Sequence, residues 1–266
     1  MRTDLAVRSP RCEAPASPAP RIPGLLIPGA PPGPLRLPDG AAHLWLADAN
    51  TRPETVAELA RLVLDDTERD RAAALRRGAD RRCYVTAHVA LRLLLGAQLG
   101  IAADRVRFRR EPCPCCGEPH GRPAPEDPDV PLHFSLSHSG DLALLAFAAT
   151  PVGADVQTKG SAEAADEIKG VLHPREEAEL AACSEADRPD AFARAWVRKE
   201  AYLKGLGTGL ARSPALDYLG TGTAAVAGPP GWRVEDVAVP RGYAAAVAVR
   251  EEGRRPEGRW TPGPAA

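Results

Sequence analysis

The sequence predicts an α+β (α/β) protein built from two halves, each combining strands with helices. Three observations predict it. Long stretches carry apolar residues at helical spacing, short runs of strand character occur in both halves, and the proline- and glycine-rich ends show no apolar period. A chain of 266 residues is long enough to bury a substantial core without a partner.

Residues 1–40, with Ile27-Pro28-Gly29-Ala30-Pro31-Pro32-Gly33-Pro34, read as a disordered leader, and 251–266 as a disordered tail. The folded part is therefore about 41–250. His43 to Ala47 alternates as a short strand, and Pro53 to Leu64 opens with a first-turn proline and continues as an amphipathic helix. Asp66 or Thr67 is expected to cap the next helix. From Asp80, Tyr84, Val85, Ala87, Val89, Leu91, Leu94 and Leu95 are dense enough for a buried helix that stops near Gly96 or Gly100. Val106 to Arg109 reads as a strand, followed by a loop rich in Pro, Cys and Gly to about Pro131. Leu142 to Phe147 and Val152 to Val156 read as adjacent strands joined by a turn at Thr150-Pro151. Helices are expected over Glu163 to Leu172, Pro174 to Ala182 and Pro189 to Lys204. Strands at Trp232 to Val239 and Tyr243 to Val249 close the fold. The boundary between a subdomain at 41–150 and one at 151–250 falls at the Thr150-Pro151 turn.

Composition narrows the function. No run approaches the roughly 20 apolar residues needed to span a bilayer, and the N-terminus lacks the apolar centre of a signal peptide, so a cytoplasmic location and no membrane partner are expected. Six cysteines, three of them in Cys113-Pro114-Cys115-Cys116, suit a reducing compartment better than a secreted scaffold. The net charge of -1 hides a basic stretch holding Arg69, Arg71, Arg76, Arg77, Arg81, Arg82 and Arg92, which favours an anionic ligand. The lysines are Lys159, Lys169, Lys199 and Lys204 alone. That arginine bias, with abundant Ala and Pro, reflects coding composition, and no nucleic-acid partner is expected.

Three segments carry chemistry. In Val152-Gly153-Ala154-Asp155-Val156-Gln157 an acidic residue sits on an otherwise apolar strand, where an unpaired carboxylate is costly to bury; a salt bridge or a metal ion answers it. In Trp196-Val197-Arg198-Lys199-Glu200-Ala201-Tyr202-Leu203-Lys204 the residues Trp196, Glu200 and Lys204 share one helix face, a spacing that also suits an ordinary ion pair. Phe134-Ser135-Leu136-Ser137-His138-Ser139-Gly140 reads as hydroxyl residues and a histidine flanking a turn that opens into a strand. Taken in order and at their distances, the three blocks resemble the surfactin-type phosphopantetheinyl transferase family. The likeness extends over about residues 43–250. Glu118-Pro119-His120-Gly121-Arg122-Pro123 resembles that family's Gly-Lys-Pro stretch, with arginine for lysine.

The resemblance implies a pseudo-twofold monomer of two similar strand–helix subdomains. It implies transfer of the 4′-phosphopantetheine arm of coenzyme A to a serine of an apo acyl or peptidyl carrier protein, with release of adenosine 3′,5′-bisphosphate. It implies Mg²⁺, with Mn²⁺ as a substitute, on Asp155 and Glu200. The family usually has a third acidic ligand two residues after the aspartate, on the same strand face; here that position is Gln157, which keeps a ligating carbonyl but removes one negative charge. Glu200 is also implied as base toward the acceptor serine and Lys204 as a phosphate contact that stabilises developing charge, with Lys199 toward the pyrophosphate. Ser137 and His138 are implied to bind the 3′-phosphate, with Arg71, Arg82 and Arg122 around the nucleotide, although each arginine alone also suits a solvated helix face. Fatty acid, polyketide, peptide and siderophore carriers all remain open.

Two other readings stand beside this one. Gln157 motivates a non-catalytic homologue that binds coenzyme A or a carrier protein. The Cys113-x-x-Cys116 pair, with Cys115 between and His120 four residues on, motivates a zinc-stabilised interaction module. The glycines Gly205, Gly207 and Gly209 read as helix stop and turn rather than as a phosphate loop.

Overall fold

The computed structural model of the chain describes residues 21, 23–26, 40–160, 170–223 and 226–251. Two sheets face each other, and each is covered on its outer side by one long helix. The first sheet has the order β1 (Gly24–Leu25), β2 (His43–Asp48), β6 (Leu142–Ala148), β5 (His133–Ser139). The second has the order β7 (Val152–Thr158), β9 (Tyr243–Arg250), β8 (Trp232–Asp236). A small hairpin of β3 (Phe108–Arg110) and β4 (Pro123–Pro125) stands apart. Pairing is antiparallel except between β1 and β2, so the class is α+β.

Alternation explains the layers. One face of β2, β6, β7 and β9 supplies Leu44, Leu46, Leu144, Ala146, Val156 and Val247 to the core between the sheets. On the outer face of the first sheet, Leu145, Phe147 and Phe134 pack against Ala87, Leu91 and Leu94 of helix α3 (Gly78–Leu99). Every residue of β6 is buried because the sheet is covered on both faces. Helix α3 ends where Gly100 adopts the left-handed conformation, φ 67°.

Helix α1 (Pro53–Val63) starts at its proline. Helix α2 (Asp66–Ala74) is capped by Asp65 rather than by Asp66 or Thr67. Asp65 and Glu68 form a reciprocal capping box, which the register of Glu68 dictates. Arg92, fully buried, holds those same two carboxylates through Nε to Glu68 at 2.6 Å and Nη2 to Asp65 at 2.5 Å. One member of the basic stretch is therefore a core brace between α2 and α3. Helices α4 (Pro174–Ala182) and α5 (Arg188–Leu206) follow in the second half.

Several expectations are corrected. Within the 1–40 leader, Gly24–Leu25 pairs with Trp45 and Leu46, because backbone pairing needs no apolar period; residues 1–20, 22 and 27–39 lie outside the described residues, as do 252–266. Of the expected helix over 163–172, residues 163–169 lie outside the described residues, and Gly170, with φ 87°, opens a turn. β6 and β7 are not paired neighbours but belong to different sheets. The stretch 134–139, expected only to flank a turn, is itself the edge strand β5, and the turn that opens into β6 comes at Gly140.

The reason for this last difference lies in the alternate serines. Ser135, Ser137 and Ser139 face the edge strand β7. Their hydroxyls accept from the backbone N–H groups of Ala154 at 3.0 Å, Val156 at 3.3 Å and Thr158 at 3.0 Å. Hydroxyl rungs join the two sheets where a backbone ladder would otherwise run.

Candidate active site

The site lies where β7 meets α5, and one glycine sets their distance. A Cβ on Gly153 would fall 1.9 Å from the carbonyl oxygen of Ala201 and 2.3 Å from the nitrogen of Gly205, so strand and helix touch backbone to backbone. Two residues on and on the same strand face, Asp155 is brought against the helix that carries Glu200 and Lys204.

Asp155 is fully buried and its two oxygens are used differently. Oδ1 accepts from Ser137 Oγ at 2.7 Å and from Lys204 Nζ at 2.5 Å. Lys204 also donates to Ser137 Oγ at 3.1 Å, closing a triangle. Oδ2 is buried with no hydrogen-bond partner. Burial raises the Glu200 carboxyl above the ordinary carboxylate range; the Lys204 ammonium opposes that rise and the Asp155 charge adds to it. Gln157 follows on the Asp155 face, half-buried.

Oδ2 of Asp155 is a buried anionic oxygen without a donor, and it stands beside a second, desolvated carboxylate. Such a set fits a hard divalent cation, which takes oxygen ligands and would answer the desolvation cost of both groups. Asp155 and Glu200 would hold it, with the Gln157 amide as a neutral third donor.

His138 borders this site. It keeps an exposed surface on β5, yet the protein around it lowers its pKa, followed by the charges of His88 and Lys204. Tyr84 meets the His138 ring edge-on at 6.2 Å and stacks on His88 at 4.1 Å. Arg71 lies on α2 within electrostatic range of Tyr84. Arg82 is exposed at the fifth position of α3.

Two residues are placed differently from their expected roles. Lys199 is 1 % exposed and turned away from Asp155. Its ammonium bonds Glu176 at 2.7 Å and the carbonyl of Asp217, so it braces α5 against α4 instead of facing pyrophosphate. The i, i+1 spacing to Glu200 already directs these side chains to different helix faces. Arg122 is held by Glu111 at 2.6 Å and reaches the carbonyl of Gly205 at 2.7 Å, so its charge is already engaged at the end of α5. Sequence reasoning missed Glu111, Tyr84 and the rungs Ser135 and Ser139; only the period-two serines carried a readable signal.

The family profile of the 4′-phosphopantetheinyl transferase superfamily matches residues 151–246, the segment that holds β7, α5 and the closing strands. The chain is similar to the 4′-phosphopantetheinyl transferase HetI of Nostoc sp. (strain PCC 7120), 29% identical over 229 residues, 84% of this chain and 93% of the relative. It is similar to the 4′-phosphopantetheinyl transferase Sfp of Bacillus subtilis (strain 168), 28% identical over 123 residues, 46% of this chain and 50% of the relative. A further 4′-phosphopantetheinyl transferase of Bacillus subtilis is 34% identical over 92 residues, 34% of this chain and 40% of the relative. With the buried Asp155 and the Glu200–Lys204 helix face inside it, the matched segment 151–246 belongs to the 4′-phosphopantetheinyl transferase superfamily, and the chain is an enzyme of that class.

Proposed function

We propose that the protein transfers the 4′-phosphopantetheine arm of coenzyme A to a serine of an apo acyl or peptidyl carrier protein, in a Mg²⁺-dependent reaction that releases adenosine 3′,5′-bisphosphate. The observation that carries this reading is the unequal use of the Asp155 carboxylate. One oxygen is fixed by Lys204 and Ser137, and the other is buried without a donor beside Glu200. When bound there, the divalent ion supplies charge neutralisation at the pyrophosphate oxygens.

The chain's own groups do the rest. Lys204, with its side chain 31 % exposed, keeps part of its ammonium toward the open side of the site, where it meets phosphate oxygens while Asp155 holds it in place. Glu200, whose carboxyl is raised above the ordinary carboxylate range, accepts the proton of the carrier serine as its oxygen bonds to the phosphorus and the bond to the bisphosphate oxygen breaks. His138, uncharged near pH 7 because its pKa is lowered, offers a ring N–H as a phosphate donor, and Arg71 and Arg82 add positive charge on the same side. The thiols of Cys83, Cys113, Cys115, Cys116 and Cys183 are free, which supports a reducing compartment such as the cytoplasm. We read the chain as a monomer of two subdomains that divide near residue 150.

The test is to incubate the protein with apo carrier protein, coenzyme A and Mg²⁺ and to weigh the carrier by mass spectrometry. A phosphopantetheine mass gain that disappears with a chelator is expected. No gain across fatty acid, polyketide and peptide carriers would overturn the reading.

A further inference from the structure

Between β3 and β4 the chain makes an excursion from Glu111 to Arg122 that the transfer reaction does not use. Its base is pinched: Glu111 N–H donates to the Arg122 carbonyl and Gly121 N–H to the Glu111 carbonyl, both at 2.9 Å. A Cβ on Gly121 would lie 2.6 Å from that same Glu111 oxygen, so only glycine permits the pinch.

Within the excursion the backbone folds tightly around Cys113. Its N–H donates to the Glu118 carbonyl and its carbonyl accepts from Gly117, each at 2.7 Å, with Gly117 left-handed at φ 80°. This fold brings the ligand atoms of Cys113, Cys116 and His120 within 4.8 Å of one another, with Cys116 Sγ 3.0 Å from His120 Nε2.

We infer that Cys113, Cys116 and His120 bind one zinc ion that fixes this loop. Thiolates and imidazole select a soft or borderline metal and tetrahedral zinc above all, whereas Mg²⁺ prefers the oxygen donors at Asp155 and Glu200. Two ions of different chemistry are thereby sorted to two sites. The loop is held by its backbone bonds more than by packing: of its cysteines only Cys113 is buried, and Cys116 and His120 are exposed. Zinc binding supplies folding energy to such a segment directly. Its consequence reaches the active site, because the pinched base carries Arg122, whose guanidinium is gripped by Glu111 and bonds the Gly205 carbonyl one residue past Lys204.

The experiment uses full-length protein without a histidine tag, purified under reductant, with zinc measured by inductively coupled plasma mass spectrometry. About one zinc per chain is expected. Replacement by Co²⁺ is expected to give thiolate charge-transfer and tetrahedral d–d bands. Cys116→Ser and His120→Ala change exposed side chains, so these chains fold, shown by unchanged far-UV circular dichroism, but lose the zinc and the cobalt bands. Cys183→Ser, outside the cluster, retains both. Wild-type protein without zinc and without the cobalt bands overturns the inference, as does full zinc retention by both Cys116→Ser and His120→Ala. Neither readout involves coenzyme A or a carrier, so the outcome is independent of the transfer assay.

Discussion

Lys199→Met separates a structural lysine from a substrate-binding one. In the folded protein Lys199 is 1 % exposed and Glu176 is 0 % exposed, and their 2.7 Å ion pair is one of four contacts to that carboxylate. The others are the N–H groups of Leu219 at 2.6 Å, Gly220 at 3.0 Å and His173 at 3.1 Å. Removing the ammonium leaves a buried anion with neutral donors only, and breaking one partner of a buried pair costs about 3–5 kcal/mol. At about 2–4 °C per kcal/mol for a chain of this size, Tm should fall by roughly 6–20 °C. Glu176→Gln breaks the same pair, so the double variant should lose less than the sum of the two single losses. Thermal unfolding measures the first effect, and KM for coenzyme A, taken at a temperature where the variant is folded, should stay near wild type. A variant with unchanged Tm and a sharply raised KM would refute the assignment and return Lys199 to the pyrophosphate.

Asp155→Asn preserves shape but removes the charge on which Lys204 and the proposed metal depend; transfer measured by carrier mass should fall by at least about 10²-fold, with the far-UV spectrum unchanged. A Glu200 carboxyl raised in the folded state favours folding while it is protonated, below about pH 4, and that contribution is lost as pH rises through the folded value. Glu200→Gln should therefore raise Tm at neutral pH, with the gap closing in acid, while transfer is lost; equal Tm values across the range would contradict the burial argument. Gly153→Ala drives a methyl into the Ala201 carbonyl and should cost at least about 1–3 kcal/mol, seen as a lowered Tm or insoluble protein. Gln157→Glu should lower the Mg²⁺ concentration needed for half-maximal transfer, which a Mg²⁺ titration reads directly.

What the sequence made legible was local. The density of apolar residues in α3 and the four-residue spacing of Trp196, Glu200 and Lys204 are properties of one helix, and Gly153 beside Asp155 is a property of one strand. What it concealed depends on partners far along the chain. Ser135, Ser137 and Ser139 read as residues flanking a turn, yet they lie on a strand whose hydroxyls each accept from an N–H group of β7. Arg92 is indistinguishable from its exposed neighbours until Asp65 and Glu68 are folded onto it. Lys199 sits next to Glu200 in sequence, but its partner lies on another helix. Strand β1 has two residues among prolines, too few for any period to appear.

Gln157 acquires its meaning from the same geometry. Asp155 and Glu200 contribute two negative charges and Lys204 one positive, so the protein groups sum to one negative charge, and a divalent ion would turn the site to one positive. A glutamate at position 157 would bring that sum to zero. Charge at a site acts on both of its ligands: a third carboxylate strengthens the hold on the cation and weakens the attraction for a pyrophosphate. With the proposed ion bound, the neutral amide would shift the balance toward the anionic substrate, and the burial of Asp155 would compensate in part, because its unpartnered Oδ2 acts in a medium where each charge counts for more than in water. On the proposed reading, two carboxylates would suffice for the ion because one of them is fully buried, held by Lys204 and Ser137, and left with a single oxygen to give.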